Sequence, residues 1–190
     1  MNVARTLAAG AAALLFTACA ALTPGQRVPA AAAFDIIGRM LTSHDGRAFS
    51  SGFRWRHDRD GDEIWLLSPV GQTLVYIVAD AAGATLTGAD RQSYQAGSVE
   101  SLTRDALGWP LPLDRLQHWI TGTAAPGDAG AKVEHDARNR VMALEQSGWR
   151  IRYGYPESGG TADRPRRLDL AQGGVQIRLV IDTWRDGSAP

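Results

Sequence analysis

The sequence predicts a mainly β protein of the α+β class, in which a short helical segment covers one side of a strongly curved sheet or barrel. About ten short segments alternate apolar and polar residues at the period of a β-strand, with turn-forming residues between them. The stretch Gly108–Gly122 breaks this alternation with two prolines, which cannot take part in a sheet ladder. After the prolines, Leu113, Leu116 and Ile120 recur at helical spacing beside Trp119. Such an apolar helical face must be buried, and the concave side of the sheet is the simplest place for it.

The first two predicted strands are Phe34–Ser43 and Arg47–His57, joined by a turn at Asp45–Gly46. Gly38 lies inside the first strand, where a glycine marks a bend or a close approach of another backbone. The next turn is Asp58–Asp62, whose aspartate spacing is similar to the start of a calcium-binding loop. The glycine and glutamate that such a loop requires are missing from their positions, so we interpret this segment as a hairpin turn.

Two apolar strands, Ile64–Leu67 and Leu74–Val78, predict a long hairpin with Val70 at its tip. An apolar residue at a tight turn is unusual, because loops normally face water. Two interpretations remain open from the hairpin alone: Val70 folds back onto its own strands, or it projects from the tip.

Two short strands, Thr85–Thr87 and Ser93–Gln95, precede the first of two predicted helices. Ser98 is a favourable N-cap for this helix, which extends to Gly108. The second helix covers Leu113–Thr121. The apolar stripe of the first helix is predicted to contain Val99, Leu102 and Ala106.

Five further strands complete the predicted sheet. In the last of them apolar and polar side chains alternate, which is typical of an antiparallel strand with one buried face. The five strands are Lys132–His135, Arg140–Gln146, Trp149–Tyr155, Arg167–Ala171 and Val175–Trp184.

The N-terminus has the features of a secretion signal: Arg5, then the apolar run Leu7–Phe16, then small residues. Cys19, the single cysteine, lies at the expected cleavage site and cannot form an internal disulfide. The pattern resembles the bacterial lipobox, whose cysteine becomes the lipid-modified first residue. Ala20 follows instead of the aspartate that retains lipoproteins in the inner membrane, so the resemblance implies the outer membrane. The alternative is an ordinary export signal with a chance cysteine.

The residues after Cys19 are small and include proline and glycine, which predicts a flexible tether. The predicted organisation is a signal peptide at 1–18, a tether at 19–33, one folded domain at 34–185 and a short tail at 186–190.

The composition argues against several classes of function. The formal net charge is zero, with 20 basic and 20 acidic residues, so nucleic acid is not an expected partner. The sequence contains neither a Gly-x-x-x-x-Gly-Lys loop nor a Gly-x-Ser-x-Gly elbow. The four histidines lack metal-ligand spacing, and we expect His118 at the surface. We therefore expect no cofactor, no metal and no catalytic residue.

Six features follow one another along the chain: a lipobox cysteine, a Phe-x-Trp strand, a Pro-Val-Gly hairpin tip, a Pro-Leu-Pro helix and two alternating strands. They are Cys19, Phe53–Trp55, Pro69–Gly71, Gly108–Gly122, Trp149–Tyr155 and Gly173–Trp184. In this order they resemble the LolB family, the outer-membrane lipoprotein receptors of Gram-negative bacteria, over nearly the whole mature chain.

The resemblance implies an incomplete antiparallel β-barrel of about ten to eleven strands, with an apolar cavity under a helical lid. It also implies a monomer that accepts acylated lipoproteins from a LolA-like periplasmic carrier and inserts them into the inner leaflet of the outer membrane. The protein itself would lie on the periplasmic face of that membrane, anchored through Cys19. The loop that contributes to insertion in the family matches Ser68, Pro69, Val70 and Gly71.

Aromatic and aliphatic side chains suit the walls of a cavity for acyl chains, although plain core packing is the alternative for each of them. The candidates for the cavity and lid are Phe53, Trp55, Trp109, Leu113, Leu116, Trp119, Ile120, Trp149, Tyr153, Leu179 and Ile181. Two other functions remain open: a membrane-tethered hydrolase of lipids or esters, and a structural outer-membrane lipoprotein without transfer activity. A soluble shuttle of the LolA kind would carry no lipobox.

Overall fold

The computed structural model describes residues 33–128, 130–157 and 163–186. Within these ranges, eleven strands form one antiparallel sheet, and two short helices interrupt the strand order. The strands are β1 (Phe34–His44), β2 (Arg47–His57), β3 (Asp62–Leu67), β4 (Thr73–Asp80), β5 (Gly83–Gly88), β6 (Ser93–Ala96), β7 (Lys132–His135), β8 (Val141–Gln146), β9 (Trp149–Gly154), β10 (Arg167–Gln172) and β11 (Val175–Asp186). The helices are α1 (Val99–Leu107) and α2 (Leu113–Trp119).

The sheet is an open barrel. Its strand order is β6-β5-β4-β3-β2-β1-β11-β10-β9-β8-β7, and the two edge strands β6 and β7 do not pair with each other. Each predicted strand is present, with ends within two residues of those expected. The predicted fold class, an incomplete antiparallel barrel of ten to eleven strands, is confirmed.

The sheet curves around the helices. Laid flat, eleven strands would be about 50 Å wide, because neighbouring strands lie about 4.8 Å apart. The helices contain nine and seven residues, so they are only about 14 Å and 11 Å long. Nevertheless, buried side chains of both helices join those of β1–β5 and β8–β11 in one core cluster. Two short helices can fill that core only if the sheet wraps around them.

The central pair of strands, β1 and β11, contains a bulge next to Gly38, where Asp182 of β11 has no partner on β1. The register of the pair shifts between Ile37 and Gly38, and the sheet bends there. A Cβ atom added to Gly38 would lie 2.1 Å from the carbonyl oxygen of Val180 and 3.0 Å from the Phe53 ring. The predicted close approach at Gly38 is therefore confirmed, and the neighbouring backbone causes it.

Four turns lie at one end of the sheet, which we call the tip end: Asp45–Gly46, the β3–β4 loop with Val70, Ser147–Gly148 and Gly173–Gly174. The antiparallel register places them together, because β1, β3, β8 and β10 all run toward this end. The turn between β2 and β3 and the start of β1 lie at the opposite end.

Helix α1 begins at the cap that the sequence predicts. The Ser98 hydroxyl accepts a hydrogen bond from the Ser101 N–H, and Gly108 ends the helix with a φ of 80°. Val99 and Leu102 are buried as expected, but the prediction for Ala106 is wrong. Ala106 is exposed in the last turn of the helix, next to the Gly108 cap. Within the described residues, no helix is both long and apolar enough to cross a bilayer.

Candidate functional site: an apolar cavity and an exposed hairpin tip

A small apolar cavity lies between the inner face of the sheet and the two helices, which together act as its lid. Its volume is about 40 Å³, room for roughly one water molecule, and no polar atom is exposed to it. The described residues that line it are Met40, Phe53, Trp55, Ile64, Leu66, Ile77, Thr103, Trp109, Leu111, Leu113, Leu116 and Leu179.

The structure separates the predicted cavity residues into two groups. Those that line the cavity are Phe53, Trp55, Trp109, Leu113, Leu116 and Leu179. The others lie in the surrounding core and not in the described lining: Trp119, Ile120, Trp149, Tyr153 and Ile181. The sequence analysis missed six lining residues, Met40, Ile64, Leu66, Ile77, Thr103 and Leu111. Four of these occupy inward positions of β1, β3 and β4, but the β3 and β4 segments are apolar on both faces, so alternation does not single these positions out.

Thr103 fixes the connection between the two helices. Its hydroxyl donates a hydrogen bond to the Val99 carbonyl (2.8 Å) and accepts one from the Leu111 N–H (2.8 Å). The polar group of this fully buried threonine is thereby satisfied. The Pro-Leu-Pro segment is thus tied to α1, and Trp109 and Leu111 are held over the cavity.

A larger open groove of about 590 Å³ adjoins the cavity at the tip end. Its walls come from the β1–β2 turn region around Arg47 and Phe49, and from Leu74 and Val75 of β4. Leu66 and Trp109 line both spaces, so they lie where the groove meets the cavity. The volume of the groove is in the range of ordinary ligand sites, whereas that of the cavity is far below it.

The C-terminal end of the lid is fastened by Gln146, which sequence reasoning missed. The Gln146 side-chain oxygen accepts hydrogen bonds from the Trp119 indole N–H (2.8 Å) and the Ala125 N–H (2.8 Å). Its amide nitrogen donates to the Ala125 carbonyl (2.6 Å). The only signal in the sequence is a glutamine at an inward position of an alternating strand. Because all these groups are buried, Gln146 holds the end of α2 against β8.

A Gln146→Leu substitution keeps the size of this side chain but leaves three buried polar groups without partners. Each such group costs about 1–3 kcal/mol, so we expect the free energy of unfolding to fall by about 3 kcal/mol or more. Urea denaturation measures this change, with Gln95→Leu as the control because Gln95 is exposed on β6. Equal stability of the two variants would show that Gln146 does not fasten the lid.

The prediction that His118 lies at the surface is wrong. Only 7% of His118 is exposed. Helix α2 is buried on the side that carries His118 as well as on the side that carries Leu113 and Leu116. Burial, with a smaller contribution from the nearby His57, lowers the pKa of His118. Within the described parts of the chain, no three His, Cys, Asp or Glu side chains are arranged to hold a metal ion.

The β3–β4 loop projects Val70 into solvent. The Ser68 carbonyl accepts a hydrogen bond from the Gly71 N–H (2.9 Å), and the Ser68 N–H donates to the Gln72 carbonyl (2.8 Å). Gly71 has a φ of 83°, typical of the last residue in a three-residue hairpin loop. Pro69 and Gly71 are also exposed, and Val70 is 80% exposed. Of the two interpretations of Val70, the structure has the one in which it projects from the tip.

Comparison with known proteins identifies the family. A family model described as "Outer membrane lipoprotein LolB" matches residues 32–184. The chain belongs to the LolB family. A LolB protein from Chromobacterium violaceum is 38% identical over 162 residues, which cover 85% of this chain and 86% of that protein. One from Azoarcus is 37% identical over 176 residues, covering 90% of this chain and 89% of the relative.

A solved structure of a LolA superfamily protein from Nitrosomonas europaea has the same fold. It superimposes with a TM-score of 0.50 at 11% identity, covering 86% of this chain and 90% of that one. Membership in the LolB family confirms the resemblance seen in the sequence and the predicted outer-membrane location, and it supports a receptor function. The predicted signal peptide, Cys19 and the tether up to residue 32 lie outside the described residues, as do positions 187–190 of the tail.

Proposed function

We propose that this chain accepts acylated lipoproteins from a soluble periplasmic carrier of the LolA type and passes them to the outer membrane. Cys19 would carry its own lipid anchor. The observation that supports the proposal is the apolar cavity under a helical lid, adjoining an open groove at the same end as the exposed Val70. A cargo chain held there would leave the protein beside the membrane surface that Val70 enters.

The lid must move for acyl chains to bind. A cavity of about 40 Å³ cannot hold a fatty acyl chain, but the neighbouring groove of about 590 Å³ is large enough for ligands of that class. Leu66 and Trp109 border both spaces, and Trp109 lies in the link between the helices. We infer that displacement of Trp109 joins groove and cavity, while Gln146 keeps the far end of the lid in place.

Transfer of this kind needs no nucleotide. Each methylene group that leaves water contributes about 0.8 kcal/mol, so an acyl chain binds strongly to any apolar site. The bilayer offers the same stabilisation, which leaves the overall transfer near balance. In the closed state the lid residues Leu113, Leu116 and Trp109 are buried over the cavity, so the cavity itself stays small when no cargo is bound.

The direct test is transfer of a radiolabelled lipoprotein from its carrier complex to lipid vesicles, with and without this protein. We expect transfer only in its presence.

Acyl binding is measured separately with a lipopeptide whose acyl chains carry bromine, which quenches tryptophan fluorescence on contact. Trp109→Phe should remove a large part of the quenching, whereas Trp65→Phe should not, because Trp65 lies outside the cavity, stacked on Tyr76. Equal quenching losses in both variants would place the acyl chains elsewhere.

The Cys19→Ala chain, exported behind a soluble signal peptide, should retain lipoprotein binding. The described residues that line the cavity all belong to the folded domain, between Met40 and Leu179. Binding is measured by co-purification of the lipoprotein with the soluble chain, compared with the same chain carrying Trp109→Asp. Loss of binding in the Cys19→Ala chain alone would mean that the anchor holds the cargo.

The hydrolase and the structural lipoprotein receive no support from the family assignment. If the chain were a structural lipoprotein, its core would not open, and brominated lipopeptide would not quench the cavity residues Trp55 and Trp109. A hydrolase predicts turnover of an acyl ester that one serine substitution abolishes.

A further inference from the structure

A second feature of the tip end is a cluster of arginines on the outer face of the sheet. Four arginines, from β9, β10 and β11, line an open groove of about 610 Å³ together with a single carboxylate, Asp169. The chain as a whole has no net charge, so this is a local concentration of positive charge. The four are Arg150, Arg152, Arg167 and Arg178.

The register explains why these side chains meet. Arg178 is paired with Asp169 across β10 and β11, and Asp169 is paired with Arg152 across β9 and β10. Paired residues point to the same face of a sheet, so the three side chains form one row. Arg150 is two residues before Arg152 and points the same way. It is two residues from Gly148, which places it within about 7 Å of the tip end, and Arg152 within about 14 Å.

Asp169 neutralises only part of the cluster. Its two oxygens accept hydrogen bonds from Arg167 (2.7 Å) and Arg178 (2.5 Å). Burial alone would raise the pKa of Asp169, but these two hydrogen bonds outweigh it and hold the pKa below its ordinary value. Arg150 and Arg152 are exposed, and neither has an ion-pair partner among the described residues, although Glu145 stands opposite Arg150 on β8.

The groove also contains an exposed leucine. Leu41 of β1 is 41% exposed and lies in the same row, directly across from Arg178. Guanidinium groups bind phosphate oxygens well, often through two parallel hydrogen bonds. An apolar side chain among them suits a surface that carries phosphate groups above a hydrocarbon layer better than it suits an acidic protein surface.

We propose that Arg150 and Arg152 bind the phosphate groups of membrane lipids and hold the tip end of the sheet against the bilayer, while Arg167 and Arg178 stay paired with Asp169. Val70 alone offers one short side chain to the membrane, whereas the arginines add an attraction that acts before insertion. This inference rests on the proposed function only in assuming that the tip end faces the membrane.

The test measures binding of the Cys19→Ala chain to vesicles by co-sedimentation, so that no lipid anchor contributes. Vesicles of phosphatidylcholine with and without phosphatidylglycerol are compared, each at low and at high salt. The double variant Arg150→Gln/Arg152→Gln should bind anionic vesicles about 30-fold more weakly than the parent, and high salt should remove the difference. Arg59→Gln is the control: Arg59 is exposed in the β2–β3 turn at the opposite end, and its loss should change nothing.

Unchanged binding by the double variant, or an equal loss in Arg59→Gln, would overturn the inference. A third result would also overturn it: the double variant binds vesicles normally but cannot take lipoprotein from the carrier in solution. The arginines would then bind a protein and not the membrane. Thermal unfolding of each variant confirms that the fold is intact. The transfer assay is run in parallel with the native protein. If the proposed function is wrong, the transfer assay fails while vesicle binding is unaffected.

Discussion

A Val70→Glu variant should accept lipoproteins normally but insert them into vesicles at least about tenfold more slowly. Val70 is 80% exposed at the end of a hairpin loop, so the substitution removes no packing contact and should leave the fold unchanged. Entry of the tip into the bilayer would then lose the burial of a valine and instead require a carboxylate to leave water. Both changes oppose insertion, and together they exceed the 1.4 kcal/mol that a tenfold effect requires.

The matched control is Val78→Glu. Val78 belongs to the same hairpin and is 37% exposed, but it lies near the end of β4 that is remote from the tip. The two variants carry the same added charge, so a defect specific to Val70→Glu identifies the tip as the inserting element. Transfer from the carrier complex to this protein and transfer onward to vesicles are measured separately. Normal onward transfer by Val70→Glu would refute a membrane role for this loop.

A Gly38→Ala variant should be destabilised by about 3 kcal/mol or more, or should fail to fold. The added methyl group would lie 2.1 Å from the Val180 carbonyl oxygen, and backbone in the central strand pair cannot move aside as a flexible side chain does. Relief requires β1 and β11 to separate at their bulge. These strands join the two halves of the sheet, so the damage would reach the whole core.

Gly97→Ala is the control for this prediction. Gly97 has open space around its Cα, and its φ is not positive, so an added methyl group meets nothing. Thermal unfolding, followed by circular dichroism, compares the two variants. Similar melting temperatures would mean that the close approach at Gly38 relaxes at little cost.

The strands were predictable because their signal is local. Alternation in segments such as Val175–Trp184 reports directly which side chains face inward, and Gly38 could be recognised as a close approach before its neighbour was known. Both predicted helices are present, but the predicted burial of single helix residues was wrong where tertiary packing determines it. Ala106 occupies a helical position that α1 does not bury, and His118 is buried because α2 is covered on more than one side.

The cavity could be predicted only in outline. The sequence distinguishes inward from outward residues but not the cavity from the surrounding core, so Trp119 and Phe53 received the same interpretation. Gln146 was missed for a related reason. Its importance depends on Trp119 and Ala125, 27 and 21 residues away along the chain, and no local pattern connects them.

The position of the first strand sets a requirement on the anchor. β1 begins at Phe34, at the end of the sheet opposite Val70, and its ten steps to His44 cover about 34 Å. With Cys19 lipidated as proposed, residues 20–33 provide 14 residues, a reach of at most about 50 Å. The tether is therefore just long enough to run from the bilayer back along the domain while the tip touches the same bilayer. The length of the tether therefore limits how far the domain can move from its own membrane. With the tip against the bilayer, only about 15 Å of tether length remains for reaching a carrier farther out.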